Sequence, residues 1–275
     1  MRLFRGLIAL FITATAFTGC NIINPAEQIP TYIKVDSFTL KANPVLAPQP
    51  YLSSQITSVW AYYNGINIGA FDLPAQIPVI ANGRGTLTLE PAVALNGLNN
   101  FVAIYPFYQN DTFSFDAKPG QVISHEGTTK FYNNIVRNYG FTFKQDTIAS
   151  VPVNYDYANA TYIINLPSAN DSCVWYSISS YYWEQNVDAY LEFDYIGTNS
   201  FYIGVQSNLN GTGVYKLLYL AGINPSTTWK KFYLGLKDYR AQYKADNYNF
   251  FIKSSLDPGS NSGQVKIKNL QFIHF

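Results

Sequence analysis

The sequence predicts an all-β fold of two consecutive antiparallel β-sandwiches, and three observations predict it. Aromatic residues make up 17% of the 275-residue chain and charged residues only 13%, with 23 Tyr and 19 Phe. Such side chains suit the pleated, half-buried surface of a sheet. Apolar residues alternate with polar ones in short runs, the period of a strand. Gly, Asn and Pro clusters interrupt these runs about every 8–12 residues, the spacing of turns in a sandwich.

The chain opens differently. Arg2 and Arg5 precede an apolar run from Leu7 to about Ala16, and Ala16-Phe17-Thr18-Gly19-Cys20 follows. A basic segment, a short apolar segment and small residues before a cut site define a secretory signal peptide. The apolar run is about half the roughly 20 residues that a membrane-crossing helix needs. Thr18, Gly19 and Cys20 resemble the lipobox of bacterial lipoproteins, although Phe17 stands where Leu is usual. The resemblance implies cleavage before Cys20, a diacylglycerol on its thiol and an acyl chain on the new amine. Residues 1–19 are then a signal peptide and 20–29 a tether that keeps the first domain clear of the headgroups. Asn21 is not the Asp that retains some lipoproteins in the inner membrane, so an outer-membrane location is expected, with either face possible.

Residues 30–120 carry the first sandwich. Tyr32–Leu40 alternates as a strand, and the prolines at 44, 48 and 50 make the next stretch a loop or edge. Ile56–Tyr63 places Val59 and Ala61 on one face and Trp60 and Tyr62 on the other. Asn64-Gly65 supplies the positive φ of a type I′ turn, and Ile66–Phe71 returns antiparallel. Strands follow around Ile77–Ile80, Gly85–Pro91, Phe101–Tyr105 and Thr112–Phe115, with turns at Asn82–Gly85, Asn96-Gly97 and Asn99-Asn100. About seven such strands suggest an immunoglobulin-like sandwich. Val59-Trp60-Ala61-Tyr62-Tyr63-Asn64-Gly65, Gly69–Pro74 and Ile77–Val79 resemble an N-terminal module of Gram-negative envelope lipoproteins. That resemblance implies a small all-β domain without an active site. Residues 121–138, with Gly127, read as a connector, with a crossing strand at Thr129–Tyr132 as the alternative.

Residues 139–275 repeat the pattern. Strands are expected at Phe141–Phe143, Ala160–Leu166, Ser172–Ser179, Ala189–Tyr195, Phe201–Gln206, Tyr215–Tyr219, Trp229–Leu236, Asn249–Lys253 and Gln264–Phe275, with a turn at Asn210–Gly213. Tyr190–Tyr195, Trp229–Leu234, Tyr248–Ile252 and Gly263–Phe272 resemble the jelly-roll domains of carbohydrate-binding modules, with Asn269 where Asp is commoner. This implies a jelly roll and a glycan as ligand.

Several function classes fall away. With 18 Lys and Arg against 17 Asp and Glu there is no basic field for nucleic acid. Only two histidines occur, His125 and His274, too few and too distant for a His-based triad or a zinc site. No catalytic motif stands out, and no cofactor or metal is expected; Asn170-Asp171 and Asp257–Asn261 read as turn chemistry. With Cys20 lipidated, Cys173 has no partner for an internal disulfide and reads as a buried thiol. Glu192 and Asp194 share one side of a strand, and the plain reading is a solvated face. Trp229 and Trp60 read as packing residues.

The sharpest local feature is Tyr181-Tyr182-Trp183, placed where a strand pattern ends. Sugar rings present C–H faces that stack on aromatics, and Gln185 and Asp188 stand nearby for hydroxyls. Tyr181, Tyr182, Trp183, Gln185 and Asp188 are therefore the candidate ligand site; the alternative is a loop that plugs the sandwich. The expected function is a non-catalytic, lipid-anchored protein that binds glycan. The alternative is a structural or assembly component with an envelope protein as partner.

Overall fold

The computed structural model describes residues 27–275 apart from 47–50, 99–100, 153, 209–214 and 243–244. The signal peptide, Cys20 and most of the tether, with the turns at 99–100 and 210–213, lie outside the described residues. The chain is nearly all β, as expected. Its first half contains β1 (Thr31–Leu40), β2 (Ser58–Tyr63), β3 (Ile66–Asp72), β4 (Ala75–Val79), β5 (Gly83–Ala94), β6 (Val102–Ile104), β7 (Asp111–Ala117) and β8 (Val122–Thr129). Its second half contains β9 (Val136–Tyr139), β10 (Phe143–Gln145), β11 (Asn154–Asp156), β12 (Thr161–Leu166), β13 (Ser172–Ser177), β14 (Ala189–Gly197) and β15 (Phe201–Asn208). It continues with β16 (Tyr215–Ile223), β17 (Ser226–Gly235), the short helix α1 (Lys237–Gln242), β18 (Tyr248–Ser255) and β19 (Gly263–His274). Among the described residues no helix is long and apolar enough to cross a membrane.

The first sandwich packs the sheet β4-β1-β8 on the sheet β3-β2-β5-β6, which β7 joins beside β5. Ile33, Val35, Ile77 and Val79 from one sheet meet Val59, Ala61, Leu87 and Leu89 from the other. The β2–β3 hairpin turns where expected, with φ of +50° at Asn64 and +81° at Gly65. One pairing departs from expectation. β8 runs parallel to β1, with Tyr32 opposite Val122 and Leu40 opposite Thr129. It lies within 121–138, so that stretch is not a plain connector: β8 completes the first sandwich and β9 joins the second. Parallel pairing needs a long crossover, and the whole of β2–β7 provides it.

Asp111 and His125 sit on this sandwich. The His125 Nε2 lies 2.8 Å from an Asp111 carboxylate oxygen, which also accepts the Thr128 N–H at 2.9 Å. Burial works to raise the Asp111 carboxyl, but these contacts outweigh it and hold it below the ordinary value. A depressed carboxylate stabilises the fold above its unfolded value and loses that contribution as pH falls through its folded one. Asp111→Asn should therefore flatten the loss of stability on acidification below about pH 4. Urea midpoints measured at steps from pH 6 to pH 2.5 check this; parallel curves for the two proteins would reject it.

The second sandwich packs β10-β13-β18-β15-β16 on β11-β12-β19-β14-β17, with β9 added beside β19. Trp175, Ile203, Phe250 and Ile252 from the first sheet interlock with Ile164, Leu191, Phe193, Leu234 and Ile267 from the second. Cys173 is in this core, and burial pushes its thiol well above the ordinary range. The thiolate is the reactive form. Native protein should therefore leave Cys173 unmodified by iodoacetamide at pH 8, whereas urea-unfolded protein should react; mass spectrometry reads both.

The two sandwiches share a third core. Leu40, Val93, Tyr105, Phe107, Tyr108, Phe131 and Ile135 meet Tyr190, Tyr233 and Ile273 in one cluster. Beside it lies a charged group that corrects the solvated reading of Glu192 and Asp194. Both are buried, because the first sandwich covers their side of β14. Lys231 Nζ lies 2.9 Å from Glu192 and 3.9 Å from Asp194, and its side chain is only 3% exposed. Glu192 also accepts from the Tyr105 hydroxyl and from Gln271 Nε2, at 2.7 Å for the latter. Asp194 accepts from Ser53 at 3.0 Å and from Asn269 at 2.5 Å. Asn269 reaches it from a bulge in β19, with φ of +53°. Burial, then the Glu192 charge, push the Tyr105 hydroxyl well up, so it stays protonated and donates.

Candidate functional site

The aromatic loop expected to hold a ligand is assembled differently. Tyr181 makes an isolated antiparallel bridge with Tyr248, through N–H···O distances of 2.7 and 2.9 Å. That bridge extends strand geometry to the loop, and strand geometry sends alternate side chains to opposite sides. Tyr181 and Trp183 turn inward. The Tyr181 ring packs on Phe141, Phe250 and Phe272 at 4.9, 5.2 and 5.6 Å between centroids. Trp183 is 1% exposed and packs on Tyr248 at 4.5 Å. Trp183 is buried and Tyr181 partly so, both packed against the core at the end of the sandwich. Tyr182 remains outside, with the Arg240 guanidinium 4.3 Å from its ring centroid. Gln185 is exposed, and Asp188 pairs with Lys237 at 3.3 Å. The five residues thus form no common surface.

Trp229, expected in the core, is 42% exposed instead, with Lys268 Nζ 4.0 Å from its ring centroid. It precedes the buried Phe232-Tyr233-Leu234 run of β17, before the strand passes under the first sandwich.

A different aromatic surface lies on the outer face of the β10-β13-β18-β15-β16 sheet. Alternation sends Phe201, Ile203 and Val205 of β15 inward and leaves Tyr202 outside. On β18 the same rule turns Phe250 and Ile252 inward and Phe251 and Lys253 outward. Register then places Phe251 opposite Gly204, which pairs with Tyr219 of β16, and Lys253 opposite Tyr202. Tyr176 of β13 lies opposite Phe251 on the other side.

The result is a layered patch. Phe251 is buried at its base, with Tyr176 at 6.2 Å and Tyr219 at 5.1 Å between ring centroids. Tyr202 and Tyr219 stand above it, 49% and 50% exposed, with centroids 5.6 Å apart and rings at 87°. They form a right-angled corner of two accessible π surfaces. The Lys253 ammonium lies 3.2 Å from the Tyr219 hydroxyl and 5.6 Å from its ring centroid, and Gln206 stands one row along the sheet. Burial, then Asp146, raise the Tyr176 hydroxyl to about 12.

Glycine makes room for these rings. A Cβ on Gly204 would come 2.6 Å from the Phe251 ring and 2.1 Å from the Leu218 carbonyl oxygen. The absent side chain lets Phe251 lie across β15 as the floor on which Tyr219 rests.

Among the described residues no group of three or more His, Cys, Asp or Glu is arranged to hold a metal ion. The patch has the elements of a stacking surface: two exposed rings, an ammonium donor, and an amide.

Sequence reasoning missed this patch because its members come from four strands. The available signal was alternation: Tyr202 sits between the inward Phe201 and Ile203, and Lys253 follows the inward Ile252.

No family model matches the chain, and no curated protein matches it. Several solved structures are similar to its fold. A family 29 carbohydrate-binding module from Piromyces equi aligns at 7% identity and a TM-score of 0.34, over 52% of this chain and 92% of its own. A further family 29 carbohydrate-binding module aligns at 16% identity and a TM-score of 0.30, over 51% and 88%. The enzymatically active domain of tailspike protein 4 from bacteriophage CBA120 aligns at 10% identity and a TM-score of 0.33, over 52% of this chain and 19% of its own.

Proposed function

We propose that this chain is a non-catalytic envelope lipoprotein, anchored in the outer membrane through Cys20, that binds glycan on the open face of its second sandwich. The observation that carries the binding role is the corner of Tyr202 and Tyr219, with Lys253 and Gln206 beside it. A pyranose ring has an apolar C–H face and a rim of hydroxyls. One tyrosine ring accepts the C–H face by stacking, and the second closes on its edge. The ammonium and amide supply donors to rim oxygens, and the amide also accepts. A site of two such rings with few polar contacts suits weak, repeated contacts along a polysaccharide.

Calorimetric titration of the chain from Asn21 onward against neutral and acidic polysaccharides tests this reading. Saturable heat that is lost in Tyr202→Ala supports it. A complete absence of binding, together with stoichiometric recovery of one envelope protein on the same chain, would replace it with the assembly role. The anchor has its own measurement. Mass spectrometry of the mature N-terminus should show Cys20 carrying diacylglycerol and an acyl amine, and an unmodified N-terminus would remove the anchor.

A further inference from the structure

We infer that the end of the first sandwich remote from the second is a membrane-docking face, laid against the phospholipid headgroup and upper acyl region. This rests on the Cys20 anchor proposed above, and it assigns an orientation that the anchor alone leaves open.

The first observation is topological. β1 begins at Thr31 and ends at Leu40 in the junction core, and β5 begins at Gly83 and ends at Ala94 near the junction. Their starting ends therefore lie away from the second sandwich. The tip of the β2–β3 hairpin lies at the same end, since the Asn64 N–H donates to the Thr86 carbonyl at 2.9 Å.

The second observation is what those ends expose. Ile29, Ile66, Ile80 and Val122 are 62, 72, 62 and 53% exposed. Ile29 and Ile80 line an open groove of about 310 Å³ with Ala81 and Pro119. Alternation explains the outward aim: Val79 and Ile123 face the sandwich core, so Ile80 and Val122 face away. Four exposed aliphatic side chains gather at this end of a small sandwich, two of them lining one groove, a concentration of the kind that marks an interaction site. The flanking charges are few and mixed in sign. Arg84 and Lys118 both stand by Asp116, the first opposite it and the second 3.8 Å away. Apolar contact, not a basic field, is the attraction this surface offers.

The third observation is reach. Six residues separate Cys20 from Glu27, the first described position, which precedes Ile29 by two. A chain extends at most about 3.5 Å per residue, so the nine steps from Cys20 to Ile29 place the lipidated cysteine within about 32 Å of the groove. A short tether from this end holds these aliphatic residues near the interface and raises their effective concentration there. The tether was expected to keep the domain clear of the headgroups; the exposed aliphatic end argues for contact instead. The patch bearing Tyr202 and Tyr219 lies on the second sandwich, away from that contact.

Environment-sensitive labelling tests the orientation. Cys20 is acylated and Cys173 is buried, so Ile80→Cys and Ile148→Cys each provide one labelling site on the native, full-length processed protein. Ile148 is 74% exposed on the second sandwich and serves as the reference. The labelled proteins are reconstituted in phosphatidylcholine–phosphatidylglycerol vesicles containing lipids brominated near the headgroup. The label at 80 should shift to the blue and lose at least half its emission, while the label at 148 stays water-like. Equal, water-like emission at both positions would overturn the docking face. A second pair carries Cys20→Ser and a histidine tag before residue 20, held on nickel-chelating lipid. A shift confined to position 80 supports the face without acylation, and no shift overturns it. Failure of the native chain alone to float with vesicles counts against the anchor, not the face.

Discussion

Lys231→Ala is expected to lower the unfolding free energy by about 3–5 kcal/mol, the range for removing one partner of a buried ion pair. Lys231 is the only ammonium within 4 Å of Glu192 among the described residues, and Glu192 is fully buried. The variant leaves a buried carboxylate hydrogen-bonded by Tyr105 and Gln271, with the Arg137 guanidinium on Gln271 as the remaining nearby cation. The same cluster joins the sandwiches, since Asp194 is bound by Ser53 from the first half and Asn269 from the second. Loss of the lysine should therefore uncouple them. Calorimetry should show one transition for the native chain and two for the variant. Lys231→Met combined with Glu192→Gln and Asp194→Asn removes all three charges and should recover most of the loss. If the triple variant is no more stable than Lys231→Ala, the unpaired charge is not the cause.

Tyr202→Ala and Tyr219→Ala should each weaken glycan binding about tenfold, which corresponds to about 1.4 kcal/mol per ring. The double variant should show no saturable heat. Both side chains are half exposed on one sheet face, so thermal stability should move little. Tyr182→Ala is the informative comparison. It alters the exposed member of the loop at 181–183 and should leave binding unchanged. Equal affinity of native protein and the Tyr202→Ala, Tyr219→Ala double variant would remove the sheet face as the site.

Much of the fold was legible because strand period is local. The alternation of Tyr190, Glu192 and Asp194 against Leu191, Phe193 and Tyr195 assigned the two sides of β14 correctly. Period says which side chains travel together and not what their side meets. Here one side met the second core and the other met the first sandwich, so two carboxylates read as solvated were buried. The loop at 181–183 illustrates the converse. Its three aromatics looked like the end of a pattern, yet the Tyr181–Tyr248 bridge continues the alternation and draws two of them inward. That bridge joins residues 67 positions apart, and nothing local announces it. Trp229 was misplaced for a related reason: β17 is exposed at its start and buried only where it passes under the first sandwich.

The sequence by itself determined the all-β class, the approximate strands and the Asn64-Gly65 hairpin. These follow from composition, from a two-residue period and from residues whose backbone preferences are intrinsic. Only the tertiary structure decided that β8 runs parallel to β1, that Glu192, Asp194 and Lys231 lie inside a junction, and that Tyr202, Tyr219, Phe251 and Lys253 share a face. Each depends on which strand pairs with which and in what register. That choice is made by burying whole faces together across long sequence separations, and it is not encoded in any one stretch.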